Sequence, residues 1–444
     1  MQIYLIIFFT QCKERDIIFS KTDKEKKFRM KTTGIITEYN PFHNGHDYHL
    51  KQAYEISGAD RVIAVMSGDF CQRGTPALWN KYLRATCAVH CGVHAVLELP
   101  VFYATASAEY FARGALLSLA NTGIVDSICF GAETDDIALL EQVADYLCNN
   151  AEEMRSSIAP FLKEGMTYPA ARTKALLQKL NTPALSDLLT KPNNILAIEY
   201  LKAIKKYQLP FKYHVIKRIE NDYHDTKLNT HISSATAIRS QILEHAFSND
   251  DRLRKKIEDN LPTSTLSHIS SHFNNIIIPN DITPYILYAL WQHASYEDYA
   301  DISSDFSDRI RHLDDATMSF DEICLALKTK QLTHTRISRC LLHILLRITK
   351  SDFEKSIEND YIHYHRLLAL HTDGNDVIKG IKNNSDIPLI DKVAPAMKQL
   401  NGIAKTSLQY DINSAHLYNA IYGAKYKIAL KNEYVGGISY ERRK

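Results

Sequence analysis

The 444-residue chain has no charge excess to advertise a polyanionic partner: 53 Lys plus Arg face 51 Asp plus Glu, a formal net charge of +2. Local basic patches are still compatible with that balance, and the 19 His add charge only in acid. A cysteine framework is absent too. Eight cysteines (Cys12, Cys71, Cys87, Cys91, Cys129, Cys148, Cys324 and Cys340) are scattered through a long chain, which excludes a small disulfide-stapled fold and points to reduced thiols in a cytosol. Cys87 and Cys91, with His90 and His94, lack the second paired-ligand knuckle of a structural zinc site; they read as residues of an ordinary helix, and no metal site is assigned. The apolar run Ile3 to Phe9 is too short to span a bilayer and has neither the flanking basic segment nor the cleavage site of a signal peptide. Internal repeats and low-complexity tracts are also missing. The expectation is a cytoplasmic protein without membrane association and with no obligate protein partner evident.

What is present is a soluble, globular composition, 45% hydrophobic and 23% charged. The chain is too long for one ordinary core, so two or more domains are expected. Residues 1–29, with a charged stretch from Lys13 to Arg29, are set aside as an N-terminal appendage or upstream start, because a crisp strand pattern begins only after Met30. From there short β-rich runs alternate with helical periodicity: Thr33–Thr37, Arg61–Met66, Ala95–Leu99, Asp126–Phe130 and Tyr213–Arg218, with helices between them. This alternation predicts an α/β fold, a Rossmann-like parallel sheet over residues 30–250. Residues 251–444, with amphipathic segments around Tyr285–His293, Phe320–Lys328, His334–Thr349 and Ile387–Leu400, are predicted to form a mainly α-helical domain.

Chemistry concentrates after the first strand. A loop leads into a helix that opens with His43-Asn44-Gly45-His46, and the two histidines, three apart, share a face of its first turn. Unpaired backbone N–H groups and the positive dipole end at such a start favour a phosphate, and Gly45 lets one approach without a Cβ in the way. Two imidazoles there can donate to α-phosphate oxygens as charge builds during displacement. Far downstream, Ile232-Ser233-Ser234-Ala235-Thr236-Ala237-Ile238-Arg239 offers hydroxyls at a helix N-cap and an arginine one turn on, suited to β- and γ-phosphate oxygens. Taken singly, the first motif could be surface histidines on a turn and the second a plain capping sequence.

Together, the HxGH helix after the first strand and the ISSxxxIR segment after the last resemble the HIGH superfamily of nucleotidyltransferases. More narrowly, EYNPFHNGH at Glu38, VMSGDFCQRG at Val65, ELP at Glu98, FGAE at Phe130, KPNNILAIEY at Lys191, IKR at Ile216 and ISSATAIR at Ile232 resemble the bacterial tRNA(Met) cytidine acetate ligases. The likeness runs from about Met30 to Ile242 and is weaker over the C-terminal half. It implies ATP as co-substrate, with Mg2+ accompanying it, and a two-step reaction. Acetate and ATP give acetyl-adenylate and pyrophosphate, and the acetyl group then passes to N4 of the wobble cytidine of elongator tRNA(Met).

The resemblance assigns His43 and His46 to catalysis. It assigns ATP binding to Ile36, Thr37, Glu38, Tyr39, Asn40, Pro41, Phe42, His43, Asn44, Gly45, His46, Asp47, Tyr48 and His49, with further contacts at Gly131, Asn193 and Arg218; Ser233, Ser234 and Arg239 would hold the pyrophosphate. Gly131 is expected just after a strand, and Asn193 at a helix start where it could equally be an N-cap. Asp69 and Arg73 lie at the same edge, where a solvated loop is the equal alternative. For tRNA, the candidates are Lys202, Lys205, Lys206, Lys212, Lys217, Lys425, Lys427, Lys431, Arg442, Arg443 and Lys444, with Tyr422, Tyr426, Tyr434 and Tyr440 as stacking rings. The competing functions are an adenylyltransferase for a small phosphorylated cofactor precursor, whose enzymes are typically shorter, and a tRNA-binding scaffold with a decayed nucleotide site.

Overall fold

The structure is a computed structural model that describes residues 30–218, 233–248, 250–292, 295–313 and 317–440. The expected N-terminal appendage, Ile232 and the basic residues Arg442 to Lys444 lie outside the described residues.

Eight strands form one sheet: β1 (Thr32–Thr37), β2 (Arg61–Ser67), β3 (Ala95–Leu99), β4 (Ser127–Ala132), β5 (Lys212–Lys217), β6 (His365–Leu370), β7 (Leu389–Ile390) and β8 (Ser439–Tyr440). The order is β5-β4-β1-β2-β3-β6-β7, with β8 also paired to β6. The first five strands pair in parallel, as the alternating pattern predicts. Helices cover both faces, which is why β2 reads as a continuous apolar run. Ile63 and Val65 pack with Leu116 and Leu119 of the helix Ala108–Asn121 on one face. Val62, Ala64 and Met66 pack with Leu50 and Ala53 of the helix Asn44–Ser57 on the other. Gly34 is required in β1: a Cβ there would lie 2.6 Å from Leu119 Cδ1.

All five parallel strands deliver their carboxyl ends to one edge. The chain leaves β1 toward β2 on one side and returns to β4 on the other, so a crevice opens at that edge beside β1, where α/β sheets bind ligands.

Beyond residue 251 helices dominate, including Thr283–Trp291, His334–Leu346 and Gly402–Tyr426. The same half also returns to the sheet, with β6 running antiparallel to β3, so the sheet draws on both sides of the boundary expected near 250. Among the described residues no helix is long and apolar enough to cross a membrane.

Candidate active site

His43 is the N-cap of the helix Asn44–Ser57. Its Nδ1 accepts from the Gly45 N–H at 3.0 Å, so the proton of the neutral ring sits on Nε2. That Nε2 is buried and has no hydrogen-bond partner among the described residues. A donor held in a fixed direction without an acceptor is what an incoming phosphate oxygen needs. Burial, then Arg218 and Arg239, pushes the His43 pKa down to about 3. The ring is therefore neutral near pH 7, and the positive field that keeps it so also attracts a polyanion.

His46 is built differently. Its Nδ1 accepts from the His43 N–H at 3.4 Å, completing a capping box, and the ring hydrogen-bonds the Pro41 backbone. Proline has no N–H, so the ring must donate to its carbonyl. The two imidazoles stand 3.9 Å apart, centroid to centroid, but His43 alone presents an uncommitted N–H. Burial and His43 hold His46 well below the ordinary histidine range. His49, one turn on, has an Nε2 without a partner among the described residues and is pushed down to about 4 by burial and Arg218.

One pocket joins the two motifs: His43, Gly45, Tyr48, His49, Gly131, Ile216, Lys217, Arg218, Ser233 and Ser234 line it. Ser234 caps the helix Ala235–Ser248, its Oγ accepting from Ala237 N at 3.1 Å. Arg239, on that helix, reaches across to the first loop and donates through Nη1 to the Asn40 carbonyl at 2.9 Å. Arg218 follows β5 directly, exposed at the pocket's mouth, its N–H donating to Ala132 O at 2.9 Å.

Several expected residues sit elsewhere or act otherwise. Gly131 lies inside β4, not after it, and a Cβ there would come within 3.2 Å of Arg218 Cγ, so its bareness makes room for the arginine stem. Asn193 Nδ2 donates to Glu133 Oε1 at 2.6 Å, and the same carboxylate accepts from Asn194 N at 2.8 Å. Glu133 thus caps the helix Pro192–Lys206 and fixes the Asn193 amide. Sequence reasoning missed Glu133 and Ile216, although both stand in quoted phrases, FGAE and IKR.

Asn44 Nδ2 donates to Asp259 O at 3.0 Å, and Asp47 pairs with Lys51 at 2.7 Å. Both therefore brace the first helix. In the loop before it, Tyr39, Phe42 and His46 pack ring against ring, Tyr39 N donates to Thr37 Oγ1 at 3.2 Å, and Ile36 packs into the core. Glu38 Oε1 accepts from Gln72 N at 2.7 Å.

Asp69 is buried, so the solvated-loop alternative fails for it: Oδ1 accepts from Lys81 N at 2.7 Å. Among the tRNA candidates, Lys202 pairs with Glu199 at 2.5 Å, Lys217 with Asp135 at 2.8 Å and Lys425 with Asp281 at 2.7 Å, and Lys205 pairs with Asp145. Tyr422 is buried in the core and not open for stacking, Tyr426 is half-buried with its hydroxyl bonded to Ile276 O at 2.6 Å, and Tyr434 is exposed.

Comparison with known proteins identifies the family. The model of the family "HIGH Nucleotidyl Transferase" matches residues 30–433. The protein named tRNA(Met) cytidine acetate ligase in Alkaliphilus metalliredigens is 39% identical over 409 residues, covering 88% of this chain and 94% of that one. Its namesake in Acetivibrio thermocellus is 36% identical over 402 residues, covering 88% and 95%. The crystal structure of apo Thermotoga maritima TmcAL superposes with a TM-score of 0.85 at 28% identity, covering 93% of this chain and all of that one. A second crystal form, bound with alpha-thio ATP, gives a TM-score of 0.82. The chain belongs to the tRNA(Met) cytidine acetate ligase family of HIGH nucleotidyl transferases.

Proposed function

We propose that this chain is a ligase that uses ATP to activate acetate as acetyl-adenylate and transfers the acetyl group to N4 of the wobble cytidine of elongator tRNA(Met), giving N4-acetylcytidine. The observation that carries this reading is the buried Nε2–H of His43, held without an acceptor among the described residues at a helix start in the positive field of Arg218 and Arg239. The names of the relatives and the nucleotide analogue in the solved relative support it.

In the first step an acetate oxygen attacks the α-phosphorus, the bond to the β-phosphate oxygen breaks, and pyrophosphate leaves with the electron pair. His43 donates to the α-phosphate oxygen as charge builds there. His46 acts by holding the backbone and ring of His43. Ser233, Ser234 and Arg239 take the departing pyrophosphate, and Arg218 with Gly131 flanks the nucleotide. In the second step the cytidine N4 attacks the acetyl carbonyl, AMP departs and N4 releases a proton.

Magnesium enters as the counter-ion of ATP. Among the described residues there is no group of three or more His, Cys, Asp or Glu that could hold a metal ion by itself, and magnesium of this kind is held mainly by phosphate oxygens and water. Positioning and electrostatics then carry the first step, and no protein nucleophile is needed.

The test is isotope exchange between pyrophosphate and ATP with acetate, propionate, glycine or no acid, followed by acetylation of tRNA. Acetate-dependent exchange is the expected result. Exchange that needs no acid, or that responds only to a phosphorylated small molecule, would overturn the reading and favour the cofactor-precursor alternative.

A further inference from the structure

We propose that His49 is a further catalytic residue: its Nε2 donates to the α-phosphate beside His43, in the place that the spacing of the HxGH motif gives to His46. This rests on the function proposed above.

The helix Asn44–Ser57 gives the nucleotide pocket a wall of Gly45, Tyr48 and His49, with His43 at its cap; His46 does not line it. The reason lies in the bonding. His46 Nδ1 takes the His43 N–H, and the ring bonds the Pro41 backbone and packs against Tyr39 and Phe42, so it is turned onto the loop that it braces. His49 has no such tie. Its Nε2 is buried and meets no hydrogen-bond partner among the described residues. Two imidazole nitrogens are therefore left over along this pocket, and they belong to His43 and His49.

Helix geometry brings the second ring toward the first. Cα–Cβ bonds tilt toward the N-terminus of a helix, so a side chain covers the turn before its own. The residue four before His49 on the same face is Gly45, which has no side chain. The His49 ring leans over that bare backbone toward the helix start, the end that favours a phosphate.

What surrounds His49 calls for an anion. No carboxylate lines the pocket; across from the helix stand Gly131 and Ile216, register partners in β4 and β5, with Arg218 beside them. Burial and the charge of Arg218 push the His49 pKa down to about 4, so the ring is neutral near pH 7 and carries one proton. Facing an anion, that proton stays on Nε2. The α-phosphate has two non-bridging oxygens, and both gain charge during displacement. His43 serves one and His49 the other.

The experiment uses the full chain as wild type, His49→Ala, His49→Gln, His43→Ala and two double variants, His43→Ala with His49→Ala and His43→Ala with His46→Ala, with folding checked by circular dichroism. Acetate-dependent pyrophosphate exchange is measured at saturating ATP beside equilibrium ATP binding. His49→Ala should lose about a hundredfold in exchange, with ATP Kd changed by no more than about threefold. His49→Gln keeps an amide N–H in place of Nε2 and should recover part of the loss. On top of His43→Ala, removing His49 should cost at least about tenfold more, whereas removing His46, which acts through His43, should cost less than about threefold. Exchange in His49→Ala within about threefold of wild type, ATP affinity falling in parallel with exchange, no recovery in His49→Gln, or the double variants in reverse order would overturn the assignment. Wild-type protein without acetate-dependent exchange would instead defeat the function on which the proposal rests.

Discussion

Two buried charged regions lie along the same sheet edge and are built on opposite plans. Over β2, β3 and β6 Lys81 and Arg366 share an ion-pair cluster with Glu98, Glu433 and Asp69. Lys81 Nζ, fully buried, lies 2.8 Å from Glu98 Oε1, 3.1 Å from Glu433 Oε2 and 4.0 Å from Asp69 Oδ2. Arg366 Nη1 lies 3.2 Å from the same Glu98, and Arg366 also pairs with Glu433. Over β1, β4 and β5 the buried groups are imidazoles with uncommitted nitrogens, and Arg218 and Arg239 supply positive charge beside them. A compensated cluster of this kind joins the two halves of the chain and has nothing left to offer a ligand. A region with uncommitted buried donors is unfinished until an acceptor enters. Charge burial alone therefore does not mark a site; leftover charge and leftover donors do.

This contrast can be broken from either side. The largest effect is expected on the architectural side: Glu98→Ala leaves Lys81 and Arg366 to share Glu433 and should destabilise the fold by about 3–5 kcal/mol, read as a lowered denaturation midpoint. An unfolding curve matching wild type would show that the cluster does not hold the halves together. On the ligand side, Ser233→Ala combined with Ser234→Ala removes hydroxyls at the pyrophosphate end, and ATP binding should weaken by about 2 kcal/mol. Stability should fall by only about 1 kcal/mol, the worth of one helix cap, so lost circular dichroism in this variant would make the segment structural instead.

The smallest effect is on pH dependence. His43 and His49 have folded values of about 3 and about 4, below the ordinary 6.5 of the unfolded chain. The unfolded state therefore takes up protons first on acidification. Stability should be full above about pH 6.5 and should fall by about 1 kcal/mol per histidine by pH 5.5. Bound ATP favours the protonated rings and should shrink that loss. Melting curves between pH 7 and 5.5, with and without ATP, check this; His43→Ala should show a shallower pH slope than wild type, and an equal slope would count against the depressed value.

How much of this was legible in the sequence follows from the range of each interaction. The central strands β2 and β3 announce themselves as apolar runs of five to seven residues between helical stretches, because burial on both faces dictates their composition, whereas β5 at the sheet edge is half-exposed. The HxGH helix start and the serine cap before Arg239 are local too, and the pocket brings their key residues together. The return of β6 beside β3 is a pairing between distant segments, so local periodicity gives no sign of it. For the same reason Asp69 looked like a loop residue: its partner Lys81 is near in sequence, but the Glu433 and Arg366 that complete its surroundings come from the far end of the chain. Asn193 was read as a nucleotide contact or a cap, and the structure shows its amide held by Glu133, a carboxylate the strand pattern alone does not place. The unlike bonding of His43 and His46 could not be read from a spacing of three, since both rings share one helix face and only the Pro41 and Gly45 contacts separate them.

The most direct test of the central claim, that the Nε2–H of His43 stabilises charge on the α-phosphate, is to measure acetate-dependent pyrophosphate exchange and equilibrium ATP binding side by side in folded His43→Ala. The account predicts a loss of about a hundredfold in exchange, roughly 3 kcal/mol, while ATP affinity drops far less because Arg218, Arg239 and the serine-capped helix start still hold the phosphates. Near-normal exchange in that variant would contradict it.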